Sequence, residues 1–165
     1  MQSIEEFLAY AVKLEEEAAL RFGQLADAMA ACGNAEVSRL FRRLSDYSRM
    51  HLADARARTG FRDMPVMDPS EFVWPDLESP ETAEIWAADP FIGRDQALEV
   101  ALAAETASHA YYLRIHESTS DPEIRDMAKE FADEEAEHVA ELKKWMASPN
   151  RIAEGRYTSA TSTSG

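Results

Sequence analysis

The sequence predicts an all-α protein built as a four-helix bundle, and three observations carry that prediction. Apolar residues recur at alternating three- and four-residue steps along four long stretches, the spacing of one stripe on a helix. Helix-stopping and helix-starting residues cluster briefly after the first stretch and again after the third. A long segment rich in proline and aromatic residues separates the four stretches into two pairs.

Each element has its own local signals. Ser3 and Glu6 have the spacing of a capping box ahead of the first helix, which runs to about Cys32, where Gly33 stops it. Asn34 caps the second, which continues to about Arg58 and ends at Thr59-Gly60. The third begins near Gly93 or Arg94 and runs to about Ser118. Asp121-Pro122 supplies an N-cap and a first-turn proline for the fourth, which ends before Pro149. Connections this short fold each pair of helices into an antiparallel hairpin.

Between the hairpins, residues 59–92 carry Pro65, Pro69, Pro75, Pro80 and Pro90. They also carry Phe72, Trp74, Trp86 and Phe91, too many aromatic rings for a solvated linker. This segment is expected to travel the length of the bundle and pack on it, with a short helix from Pro80 to about Ala87. Two hairpins joined by one long crossover make a ferritin-like arrangement. The bundle is assigned to residues 1–148, and the small, polar stretch 149–165 is expected to be a flexible tail.

Composition narrows the function classes. A chain of 165 residues with 45% hydrophobic residues suits one domain with a real core. A net charge of −14 argues against nucleic acid and anionic membranes as partners. Cys32 is the sole cysteine, which rules out an intramolecular disulfide, a cysteine-rich zinc site and a Cys-x-x-Cys electron carrier. The first residues lack a basic region followed by an apolar run, and no stretch approaches the roughly 20 apolar residues of a membrane span. A cytoplasmic location is the resulting expectation.

The apolar stripes are interrupted, and the interruptions share one chemistry. The fourth helix runs Ile124, Ala128, Phe131, then Glu135 and His138, then Leu142 and Trp145. The first runs Ile4, Leu8, Ala11, Glu15, Ala18, Phe22, Leu25 and Met29, with Glu15 the charged member. Glu105 interrupts the third, between Ala101 and Ser108, and His51 the second, between Ser48 and Ala55. A buried carboxylate without a partner is too costly to persist, so a cation should meet these groups, and a metal ion is the leading candidate. Alternatives remain: His51 as a core histidine bonded to Glu15, and Glu15 with Glu16 and Glu17 as part of a solvated face.

The two halves repeat each other. At an offset of 87, Asn34 falls on Asp121, Ser48 on Glu135 and His51 on His138; at an offset of 90, Glu15 falls on Glu105 and Phe22 on Tyr112. Carboxylate-bridged di-iron and di-manganese bundles use one Glu from each of two helices and a Glu-x-x-His from each of the other two. This chain offers Glu15 and Glu105, the complete pair Glu135 and His138, and His51 as half of another.

With these residues the chain resembles the rubrerythrin branch of the ferritin-like superfamily, over about Ser3 to Ala147. The matching residues are Lys-Leu-Glu15-Glu-Glu-Ala-Ala-Leu-Arg-Phe22, Glu105 with Tyr112, and Glu135-Ala-Glu-His138. The resemblance implies a non-haem di-iron site, two irons per chain, that reacts with hydrogen peroxide or dioxygen, often in a homodimer. Zinc or manganese is the alternative metal. Three departures stand out. Ser48 replaces the glutamate of the first Glu-x-x-His, and Ser108 replaces a further glutamate of the third helix, leaving His109 beside it as a substitute ligand. The four-cysteine rubredoxin domain that delivers electrons is missing, so a separate donor is required. The expected ligands are therefore Glu15, His51, Glu105, His109, Glu135 and His138. The rival readings are an iron or zinc carrier with one tight site, and a dimeric structural bundle.

Overall fold

The computed structural model describes residues 3–74, 79 and 93–147. Four long helices make up the structure: α1 (Ile4–Ala31), α2 (Ala35–Thr59), α3 (Arg94–Ser118) and α4 (Pro122–Ala147). α1 packs along α2 and α3 along α4, giving two hairpins that face each other in a ferritin-like four-helix bundle.

The caps form where the sequence places them. The Ser3 hydroxyl accepts the Glu6 amide at the start of α1. At the other end the Asn34 amide donates to the Met29 carbonyl at 2.8 Å and the Gly33 amide to that of Ala30 at 3.1 Å, closing a Schellman turn. Gly33 takes φ 77°, the left-handed conformation that this turn requires. The Asn34 side chain then accepts the Val37 amide at 3.3 Å, so one residue closes α1 and opens α2. Asp121 caps α4 through the Glu123 and Ile124 amides, with Pro122 in the first turn. Inside the first hairpin, the Ser45 and Ser38 hydroxyls donate to the Ala19 and Ala26 carbonyls of α1 at 2.8 and 2.6 Å.

The crossover leaves α2 at Gly60 and includes a 3₁₀ turn, Pro69–Glu71, capped by Asp68. Phe72 and Trp74 then pack edge-on against Tyr10 of α1, as expected of a connection that lies on the bundle. The expected short helix Pro80–Ala87, with Trp86 and Phe91, lies outside the described residues, as does the tail beyond Ala147. No described helix is long and apolar enough to cross a membrane.

The core is divided. One apolar cluster gathers Phe7, Leu8, Leu14, Tyr112, Ile124 and Phe131 at one end of the bundle. A second gathers Phe22, Met29, Phe41, Leu44, Leu98 and Leu142 at the other. Between them lie buried Glu15, Ser48, Glu105, Ser108 and Glu135. A polar layer thus crosses the middle of an otherwise apolar bundle.

Replacing Gly33 by alanine isolates the cost of the turn, because a Cβ there meets no other atom within 4 Å. The expected loss is about 1–2 kcal/mol, the penalty of left-handed backbone for a residue with a Cβ. A urea titration should show a lower midpoint with an unchanged slope.

Candidate metal centre

Each helix contributes to the mid-bundle layer from a position within about one turn of its middle, where apolar packing above and below fixes the backbone. Two groups of potential ligands result: Glu15, His51 and Glu135 in one, and Glu105, Glu135 and His138 in the other. Within each group the ligating atoms all lie within 4.8 Å of one another. Glu135 belongs to both. Its Oε1 is 3.6 Å from His51 Nδ1, and its Oε2 is 3.8 Å from His138 Nδ1. Glu15 Oε1 stands 3.7 Å from His51 Nδ1, and Glu105 Oε2 stands 3.7 Å from His138 Nδ1.

These separations fit a shared cation. Two ligand atoms bound at about 2.1 Å to one ion stand about 3–4 Å apart. Carboxylate oxygens with imidazole nitrogens are donors for ferrous, manganous or zinc ions, and no soft thiolate is present. The arrangement has approximate two-fold symmetry, with a lone glutamate and a histidine on each side and Glu135 between them. The two imidazoles stack, centroids 4.8 Å apart and planes 8° from parallel.

The electrostatics also call for positive charge. Glu15, Glu105 and Glu135 are at most 4% exposed. Burial works against the charged form of Glu105, but hydrogen bonding with Glu135 and the His138 and His51 imidazoles hold it below the ordinary carboxylate value. Burial likewise disfavours charged His51, yet the close Glu15 carboxylate and the charges of Glu134 and Glu105 raise its pKa on balance. Three carboxylates therefore share two imidazoles, and divalent cations are the natural complement.

Five of the six sequence-predicted ligands meet in this layer. His109 lies outside both groups. The buried arc of α3 runs through Ala101, Ala104, Glu105, Ser108 and Tyr112, which puts His109 on its half-buried flank. Ser48 and Ser108 are both buried in the layer, and the Ser108 hydroxyl has no hydrogen-bond partner among the described residues. Asp54 pairs instead with Arg58 at 3.1 Å.

Two further residues belong to the site. Glu134 Oε2 is 3.5 Å from His51 Nε2, on the side away from Glu15 and Glu135. A carboxylate there fixes the ring and leaves Nδ1 facing the layer. Burial raises the Glu134 pKa, helped by Asp54 and Glu15 and opposed by His51 and Arg58. Tyr47 stacks on His138 with ring centroids 4.7 Å apart, so His138 sits between Tyr47 and His51. Spacing gives only a weak signal for them: Tyr47 is one turn before His51 and Glu134 one turn before His138, but each meets a ring on another helix.

Exposure locates the opening. The His51, His138 and Glu134 side chains are 16%, 13% and 36% exposed, against 5% or less for Glu15, Glu105 and Glu135. The layer thus reaches water at the edge between α2 and α4. The Arg43–Glu141 and Arg58–Glu130 pairs join those helices on either side of it.

Because Glu135 serves both groups, its loss should differ in kind from loss of either lone glutamate. Glu135→Gln is expected to abolish tight binding at both positions, while Glu15→Gln and Glu105→Gln each spare one. Anaerobic ferrous titration with metal analysis reads this directly. Equal stoichiometry for Glu135→Gln and Glu15→Gln would contradict the bridging geometry.

No family model matches the chain, and no curated protein matches it. Among solved structures it is similar to a crystal structure at 2.00 Å of an uncharacterized conserved protein from Magnetospirillum magnetotacticum MS-1. The two are 32% identical, the match covers 88% of this chain and 94% of that one, and the TM-score is 0.67.

Proposed function

The chain belongs to the same family as that Magnetospirillum protein, and on this premise we propose that its mid-bundle layer is a rubrerythrin-like di-iron centre that reduces hydrogen peroxide or oxidises ferrous iron. The observation that carries the reading is Glu135, a buried carboxylate shared by two Glu–His groups. A single structural ion would need only one such group. Bound ferrous ions would supply electrons to a small oxidant at this site.

The residues of the chain supply everything else. Glu15 and His51 would hold one ion, Glu105 and His138 the other, and Glu135 would bridge them and offset their repulsion. Glu134 would keep His51 turned so that Nδ1 faces the metal, and Tyr47 would press on His138. The opening between α2 and α4 would admit a small oxidant such as peroxide. Reducing equivalents come from a separate donor.

A carrier function is the second reading, and Ser48 favours it. With serine where the repeat calls for a glutamate, the two positions share three carboxylates rather than four or more, and one ion is held less tightly than the other. A protein that holds one ion tightly and does not turn over would follow.

Rapid mixing separates the two. Reduced, iron-loaded protein should be oxidised by peroxide faster than its Glu105→Ala variant, with growth of di-ferric absorbance. Oxidation at the rate of the variant would leave the carrier reading standing.

Acidification provides an independent check on the ligands. A histidine must lose its proton to bind metal, and His51 holds that proton more tightly than a free imidazole does. Protons should therefore compete from above the reference pKa of about 6.5, and affinity should fall steadily from roughly pH 7.5 to pH 5.5. Affinity that stays flat over that interval would exclude histidine ligation.

A further inference from the structure

On the side of the layer away from the α2–α4 opening, aromatic rings form an unbroken series. The Tyr112 hydroxyl donates to Glu15 Oε1 at 3.4 Å, and the Tyr112 ring is wholly buried. The Tyr111 ring centroid is 5.3 Å from that of Tyr112, Trp74 is 5.5 Å from Tyr111, and Tyr10 is 4.9 Å from Trp74. The series ends beside Phe72 and the exposed Val73 of the crossover, whose amide donates to the Tyr10 hydroxyl. Phe7 and Phe131 also pack on Tyr112, and their rings do not oxidise readily. Tyr111 is thus an oxidisable ring in direct edge contact with Tyr112.

Ser48 gives this series a task. Hydrogen peroxide takes up two electrons, and the di-iron centre supplies only one of them while its weaker position is empty. We propose that Tyr112 supplies the second electron, and that Tyr111, Trp74 and Tyr10 conduct the resulting hole to the surface at the crossover. The inference rests on the peroxide-reducing reading of the centre. The balance is one ferrous ion, one phenol, one peroxide and one proton, giving one ferric ion, one phenoxyl radical and two waters. The Tyr112 proton passes along its hydrogen bond to Glu15 and on to a departing peroxide oxygen, which leaves a neutral radical on Tyr112. The O–O bond breaks, both its oxygens leave as water, and no hydroxyl radical is released among the ligands.

The stations differ in character. The Tyr111 hydroxyl is buried with no hydrogen-bond partner among the described residues, so it has no acceptor for a proton. Burial, with the charges of Tyr10 and Glu6, also pushes its ionisation upward. Tyr111 therefore bridges, and the hole passes to Trp74, whose indole loses an electron without first losing a proton. Tyr47 is the competing donor, stacked on His138. Its hydroxyl accepts from Arg43 Nε at 2.8 Å and donates to Glu141 Oε2 at 3.1 Å, so Tyr47→Phe is the variant that tells the two donors apart.

The test loads the full chain with one ferrous equivalent under anaerobic conditions, adds one equivalent of peroxide, and freezes the mixture within milliseconds. Ferric iron and radical are read separately by electron paramagnetic resonance, and oxygen-bearing residues are mapped by peptide mass spectrometry. The wild type should give a tyrosyl signal and modification at Trp74 and Tyr10. Tyr112→Phe keeps the ring in place; it should form ferric iron yet lose the tyrosyl signal and divert oxidation to His51 and His138. Trp74→Phe should prolong the Tyr112 radical and spare Tyr10. A tyrosyl signal unchanged in Tyr112→Phe, or lost in Tyr47→Phe, overturns the relay while leaving the centre intact. Absence of ferric iron in the wild type overturns the peroxide reading and the relay with it.

Discussion

The buried Glu135 carboxylate, held between two imidazoles in the middle of a bundle, is the constraint on which the remaining features depend. Its charge cannot be left in an apolar interior uncompensated. The layer of Glu15, His51, Glu105 and His138 exists around it, and the hydrophobic core is split into two clusters to accommodate that layer. Apolar residues in these places would pack at least as stably as a buried ionic cluster. The bundle thus gives up core continuity at one level and recovers it in the aromatic and aliphatic clusters on either side.

The helices were legible in the sequence because their signals are local. Ser3, Gly33-Asn34 and Asp121-Pro122 each set a boundary through contacts within a few residues, and the structure places the helix ends at them. The hairpins followed from short turns. Five candidate ligands were legible for a different reason: polar residues on an apolar stripe are conspicuous, and the repeat put them at matching levels.

What stayed hidden depends on which way a helix is rotated by its neighbours. His109 is four residues after Glu105, a spacing that allows a shared metal, but packing turns the α3 arc toward Ser108. Conversely, Glu134 looked like one more acid in a run of exposed acids. Only the approach of α2 brings His51 Nε2 to it. Tyr47 was similarly unreadable, since its role comes from a ring on another helix. Periodicity finds the inner face of each helix, whereas flanking positions are assigned by how two helices meet.

The pseudo-repeat makes the departures from symmetry informative. The same two-fold relation that pairs Glu15 with Glu105 and His51 with His138 pairs Ser48 with Glu135, so the carboxylate common to both groups comes from one half alone. The surroundings are equally lopsided. On the α2–α4 edge, histidines and Glu134 meet water through a gap between two arginine–glutamate pairs. Across the layer, Tyr112 is sealed between Phe7 and Phe131 and touches Glu15 directly. A symmetric centre with two equal ions would need no such difference between its sides. One that takes a small oxidant in at a polar edge, and holds its two ions unequally, has reason to keep oxidisable rings on the far side, away from solvent and next to a ligand of the centre.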